Sequence, residues 1–263
     1  MIKKVLFKKA PIYYSITGEG PAVILLHGFL ENKTMWHNYA QKIAKTHKVI
    51  CPDLPGHGQS ANLGYVHSMN LMAESVMAIL KKEKLRKVIL VGHSMGGYVV
   101  MAFADLYPDY LKGLCLFQST SNADSALKKK GRDQAIKLVK QNHKSFVRKT
   151  LPMLFRHKYR AIYREKINQL KTEALTMSKQ GIVAALEGMK TRPNREIILK
   201  FPPCEVYLIG GKHDRLITPE LLEKQSKHSP KVRLKILEEA GHMAYIEQEE
   251  KAYTALYNWI KFL

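Results

Sequence analysis

The chain has 263 residues, with 43 Lys and Arg against 22 Asp and Glu, a formal charge of +21 with neutral histidines. At 46% hydrophobic and 25% charged residues it carries enough apolar side chains for a buried core, which excludes a disordered chain. No run approaches the roughly 18 to 20 apolar residues of a membrane span, and Lys8, Lys9 and Pro11 interrupt the N-terminus before an apolar region of about 7 to 15 residues can form; neither a span nor a secretory signal is expected. Cys51, Cys115 and Cys204 lie in or beside β-like runs without metal-ligand spacing, and read as reduced core residues of a cytoplasmic protein.

In chain order, short β-rich runs alternate with helical patterns, the sequence form of a parallel sheet with crossover helices. Ile12 to Thr17 and Ala22 to Leu26 flank the turn-rich Gly18-Glu-Gly-Pro and predict an N-terminal hairpin. Met35 to Thr46 reads as a helix with Thr34 as N-cap and Trp36, Tyr39 and Ile43 as its apolar stripe. Lys48 to Asp53 is a strand and Asn70 to Lys84 a helix. Val88 to Val91 is a continuous β-branched run, expected of a strand buried on both faces. Met95 to Leu106 turns helical and stops before Pro108, and Leu111 to Phe117 is the next strand.

The rhythm breaks near Ser119. Residues 119–200 contain no convincing strand but several amphipathic stretches, among them Gln134 to Val147 and Tyr159 to Lys179. They hold twenty Lys and Arg against six Asp and Glu, a net +14 of the total +21. This segment reads as a helical insertion. A strand at Glu205 to Ile209, a helix from Pro219, a strand at Arg233 to Leu237 and a helix from Ile246 to Phe262 then resume the pattern.

Gly92-His93-Ser94-Met95-Gly96 lies between a buried strand and a helix, where a nucleophilic serine can sit on a turn so sharp that its neighbours must nearly lack side chains. A serine hydroxyl needs a base within hydrogen-bond reach, and the base needs an orienting acid. Asp214 and His242 each follow a predicted strand at its carboxyl end, in the order Ser, Asp, His, and are the expected acid and base. Asp124, after the preceding strand, is a second candidate acid. His27-Gly28-Phe29 ends an apolar strand, and the amides of Phe29 and Met95 are the expected oxyanion donors. His27 itself reads as a buried structural histidine.

On these motifs the chain resembles the α/β-hydrolase superfamily over its whole length apart from the inserted segment. His27-Gly-Phe is similar to the oxyanion loop, Asp53-Leu-Pro-Gly-His-Gly-Gln-Ser60 to the turn after the next strand, Gly92 to Gly97 to the elbow, and Asp214 and His242 to the acid and base. The resemblance implies an α/β fold: a mostly parallel eight-stranded sheet with helices on both faces. It also implies a core of residues 1–118 and 201–263, and a helical cap at 119–200 after the sixth strand. In the Asp53 to Ser60 turn it assigns no catalysis to His57 or Ser60. Ser94 argues against the epoxide hydrolases and haloalkane dehalogenases of similar fold, which use an Asp there.

The expected function is cleavage of a small carboxylic ester or lactone through an acyl-enzyme, with no cofactor and no metal. A carbon-carbon bond hydrolase, a haloperoxidase-like enzyme, a lyase, or a non-catalytic ligand-binding protein remain open on the same residues. Gly28, Phe29, Met153, Phe155, Tyr159, Met177 and Met189 are candidate pocket residues, Met and aromatics adapting to irregular ligands. Arg148, Arg156, Arg160 and Arg164 are candidates for a substrate carboxylate, although solvated helix faces are the plainer reading. The basic residues form no nucleic-acid reader motif, so no nucleic-acid partner is expected. Oligomeric state is not readable.

Overall fold

The computed structural model describes residues 1–263. Eight strands, β1 (Ile2–Phe7), β2 (Ala10–Thr17), β3 (Ala22–Leu26), β4 (Lys48–Pro52), β5 (Val88–His93), β6 (Leu111–Phe117), β7 (Glu205–Gly211) and β8 (Val232–Leu237), form one sheet in the order β1-β2-β4-β3-β5-β6-β7-β8. β1 and β2 run antiparallel and the rest are parallel. β3 and β5 bury every residue, as continuous Val, Ile and Leu runs covered on both faces must.

The N-terminal hairpin is not the expected one. β2 pairs with β1, through a two-residue turn with Lys8 at φ 48° and Lys9 at φ 65°, and never with β3. Instead β4 inserts between β2 and β3, and the Gly18 joint packs on the backbone of Ala44 and His47. Lys3 and Lys4 interrupt the alternation of β1, an edge strand with Ile2 and Leu6 exposed, which hides it in the sequence.

The connections are helical: α1 (His37–Ile43), α2 (Met69–Lys82), α3 (Met95–Leu106), then α4 (Ala126–Met153), α5 (Tyr159–Ile162), α6 (Arg164–Ala174), α7 (Lys179–Lys190) and α8 (Glu196–Lys200) between β6 and β7, then α9 (Pro219–Ser226), α10 (Ala244–Glu247) and α11 (Glu249–Phe262). The first helix starts later than predicted. A 3₁₀ turn at Lys33–Trp36 precedes it, capped by the Asn32 side chain rather than Thr34. α1 meets α11 through Tyr39 and Tyr253, while α2 packs on α3, α3 on α8, and α8 on α9. No helix is long and apolar enough to cross a membrane.

The predicted helix over 159–179 is broken into α5 and α6 and ends at Ala174, Lys179 already belonging to α7. α4 is two helices joined at Asn142, whose φ of −153° and ψ of 89° are non-helical. α7 fastens this segment to the 56–68 loop, since His67 donates its amide to the Ala184 carbonyl at 2.9 Å and Gly181 and Gly188 lie against Gly56 and His67 backbone. Val139, Leu151, Phe155 and Ile182 join the same continuous core as the sheet.

Candidate active site

Register brings the strand tips level: Leu26 pairs with Gly92, Gly92 with Leu116, His93 with Phe117, and Gly211 with Leu237. The carboxyl ends of β3, β5, β7 and β8 therefore open at one edge, the usual place for a site in an open α/β sheet. Between β5 and α3, Ser94 takes φ 50° and ψ −112°, a conformation that a side-chain-bearing residue holds only under constraint. Its amide donates to the Phe117 carbonyl at 3.0 Å, and its own carbonyl accepts from Ser119 Oγ at 2.7 Å. The flanking glycines are obligatory: a Cβ on Gly92 would lie 2.3 Å from Gly96 backbone, and one on Gly96 would lie 2.6 Å from the Leu26 carbonyl oxygen.

The structure brings Ser94, His242 and Asp214 into one line. His242 Nε2 is 2.9 Å from Ser94 Oγ, and His242 Nδ1 is 2.7 Å from Asp214 Oδ2. The Leu216 and Ile217 amides donate to Asp214 Oδ1 at 2.8 and 3.0 Å, which leaves Oδ2 for the imidazole and stabilises the buried carboxylate. The His242 loop is pinned on both sides. Gln118 donates to the Gly241 carbonyl and accepts the Ala244 amide, while Glu247 accepts the Gly241 amide and, at 2.7 Å, that of Arg156. Burial outweighs these bonds and raises the Glu247 pKa.

Asp124 lines the cavity over Ser94 but is held by other partners. Its carboxylate lies 3.0 Å from Arg132 Nε and 2.8 Å from Arg192 Nη2, and it does not meet His242. Arg192 is fully engaged, stacked on Tyr98 and donating to the Asn122 and Met189 carbonyls. His27 is the buried structural residue expected: its Nδ1 faces the Gly28 carbonyl and its Nε2 accepts the Leu54 amide at 2.9 Å, while burial lowers its pKa. In the Asp53 to Ser60 turn, Asp53 binds the Lys33 ammonium at 2.7 Å and Ser60 caps the Asp53 carbonyl.

Sequence reasoning missed a buried trio beneath the site. Glu31 accepts the Gly28 amide at 2.7 Å and His93 Nδ1 at 2.9 Å on one oxygen, and the Tyr245 hydroxyl at 2.8 Å on the other. His93 Nε2 is 3.1 Å from the His242 carbonyl, so both its nitrogens face acceptors, an arrangement that favours the imidazolium. Burial opposes its charge, but the Glu31 carboxylate prevails and raises the His93 pKa; reciprocally, His93 overcomes burial and lowers that of Glu31. By taking the Gly28 amide, Glu31 turns the loop through Leu30 at φ 64° and leaves the Phe29 amide without a protein acceptor. The Met95 amide opens α3 and has no acceptor within its helix.

A cavity of about 1400 Å³ lies over Ser94 and His242. Phe29, Met153, Phe155 and Met189 line it. Gly28, Tyr159 and Met177 do not: Gly28 is backed by Glu31 and His93, Tyr159 packs on Tyr163, and Met177 is buried in the core. Of the four arginines singled out, Arg156 and Arg160 line the cavity, while Arg148 and Arg164 are exposed away from it.

Residues 21–249 match the family described as alpha/beta hydrolase fold. The chain belongs to this family. An esterase from Thermogutta terrifontis, solved with malate bound, is 28% identical with a TM-score of 0.93, covering 99% of this chain and 98% of that one. A putative 2-succinyl-6-hydroxy-2,4-cyclohexadiene-1-carboxylate synthase from Bacillus subtilis is 28% identical over 253 residues, 90% of each chain. An uncharacterized Mycobacterium tuberculosis protein is 39% identical over 103 residues, 39% of this chain, and the match spans 30% of that relative's length.

Proposed function

We propose that this chain is a serine hydrolase cleaving a small carboxylic ester or lactone through an acyl-enzyme. The observation that carries the reading is the unbroken line from Asp214 through His242 to Ser94, at 2.7 and 2.9 Å, on the floor of a cavity. His242 Nε2 takes the proton as Ser94 Oγ bonds to the substrate carbonyl carbon, and Asp214 stabilises the imidazolium. The carbonyl π pair moves onto oxygen, where the Phe29 and Met95 amides receive the charge. Collapse breaks the carbon–oxygen bond to the alcohol, which leaves with the proton from His242. Water then repeats the cycle on the acyl-enzyme, giving the acid and free serine.

In this reading residues 119–200 form a cap on a body of 1–118 and 201–263, and α4 and the α4–α5 connection shape the acyl pocket. The cation-rich lining favours a substrate carrying negative charge. The test is hydrolysis of p-nitrophenyl esters with acyl chains of two to twelve carbons by wild type and Ser94→Ala, alongside labelling by a fluorophosphonate. Serine-dependent turnover and labelling are expected, with a loss of about 10³-fold or more in the variant. Turnover that survives in Ser94→Ala would end the mechanism.

A further inference from the structure

The cavity over Ser94 holds both signs of charge, but they are unequally committed. Its carboxylates are Glu31, Asp124, Asp214 and Glu220. The first three are charge-paired within the protein, Glu31 by His93, Asp124 by two arginines although its Oδ1 makes no hydrogen bond, and Asp214 by His242 with two amides. Among the cations, Arg132 binds Asp124, Arg156 and Lys158 bind Glu239, Lys212 binds Glu238, and Lys128 donates to the Leu216 carbonyl. Burial, set against the attraction of Asp124 and reinforced by Arg192 and Arg132, lowers the pKa of Lys128.

Arg215 also lines the cavity without a partner, but it is exposed to solvent; Arg160 differs from all of these. It lies on α5 in the cavity wall, and no carboxylate, carbonyl or aromatic ring engages its guanidinium. Its Nε is buried without a hydrogen-bond partner. A buried donor on a charged group, left unsatisfied, is costly, and native proteins keep few of them. A planar guanidinium with a free edge facing a cavity matches one ligand group above others, a carboxylate that accepts two parallel N–H bonds.

We infer that Arg160 is the acyl-carboxylate receptor of the site, so that the substrate is a half-ester or lactone of a dicarboxylic acid, bound with its free carboxylate on Arg160 and its ester carbonyl at Ser94. This rests on the serine-hydrolase reading for the reacting end, but the carboxylate subsite stands on its own geometry. It also gives the apolar lining, Phe29, Phe146, Met153 and Phe155, the role of holding the methylene chain between the two ends.

The decisive experiment compares half-esters with the corresponding dimethyl diesters of succinate, adipate and suberate, as kcat/KM ratios, in wild type, Arg160→Gln, Arg160→Lys and Arg148→Gln. Wild type is expected to prefer the half-ester by tenfold or more at one chain length. Arg160→Gln should abolish that preference through KM, Arg160→Lys should keep part of it, and Arg148→Gln, which removes the same charge outside the cavity, should retain it. In parallel, adipate is titrated by calorimetry into Ser94→Ala protein with and without Arg160→Gln. Arg160-dependent binding without ester turnover in wild type would sustain the subsite and sink the serine reading. Serine-dependent turnover with no half-ester preference, or adipate binding indifferent to Arg160, would overturn the subsite and leave the serine reading intact.

Discussion

The sheet and the helices between β6 and β7 are held in different ways. β3 and β5 bury every residue, and the side chains at their tips are fixed from several sides. α4 spans 28 residues yet buries only Ile136, Val139, Val147 and Leu151, and eight of its seventeen exposed residues are Lys or Arg. The first region holds Ser94, His242 and Asp214 through hydrogen bonds on several sides. The second is anchored at a few points, chiefly through α7, and its exposed residues can vary without disturbing the fold. In the proposed function, chemistry and selectivity would be carried by parts with separate stability requirements.

The two candidate acids give the sharpest way to break this division. Asp214→Asn should leave the fold intact and cost about 10⁴-fold in turnover, because the amide would favour the wrong imidazole tautomer. Asp124→Asn should do the converse. It weakens the neutralisation of Arg192, 3% exposed, and is expected to cost about 3 kcal/mol of stability with less than about tenfold effect on kcat. Ester hydrolysis and thermal unfolding of both variants check this; exchanged effects would move the acid to the β6 end.

A smaller effect contrasts ion pairs in the two regions. Glu31→Gln breaks a buried pair and should cost about 3 kcal/mol, whereas Asp133→Asn, whose partner Lys190 and own carboxylate are partly solvated, should cost under about 1 kcal/mol. The pH dependence has a definite sign. The His93 pKa is raised above 6.5, so its contribution is complete below pH 6.5 and is lost as pH climbs through the native value. The Glu31 pKa is lowered below 4.5, so its contribution is complete above pH 4.5 and is lost as pH falls through its native value. Unfolding of wild type and Glu31→Gln from pH 3 to 9 should show the largest gap between those limits; a pH-independent gap would mean the pair is not ionised.

What the sequence made legible follows the same division. The elbow could be read because sterics confine its glycines to fixed spacing around Ser94, and β5 and β6 because burial on both faces demands unbroken apolar runs. Order along the chain also picked Asp214 over Asp124 as the residue placed beside His242. Glu31 could not be read: its partners His93 and Tyr245 are 62 and 214 positions away, and no local pattern marks a carboxylate that shapes a neighbouring loop. The 159–179 pattern ran through the α5–α6 break because the apolar period continues where the backbone does not. Arg160 and Arg148 are alike in sequence and differ only in what the fold places in front of them.

The smallest predicted effect concerns the kink in α4. Asn142 Oδ1 accepts the Ser145 amide at 2.9 Å, so Asn142 caps a second helix whose residues Phe146, Thr150 and Met153 face the cavity. The half before it delivers Lys128, Arg132 and Ala135 to the same cavity. Asn142→Ala should cost about 1 kcal/mol in thermal unfolding, Asn142→Gly a few tenths, and Asn142→Asp almost nothing, since it keeps the acceptor and adds charge at a helix N-terminus. KM should rise in Asn142→Ala while kcat holds, because the bend positions the pocket wall and not the triad. If Asn142→Ala were instead more stable than wild type, the helix would be straightening, and the bend would be a constraint held for the pocket at the expense of the fold.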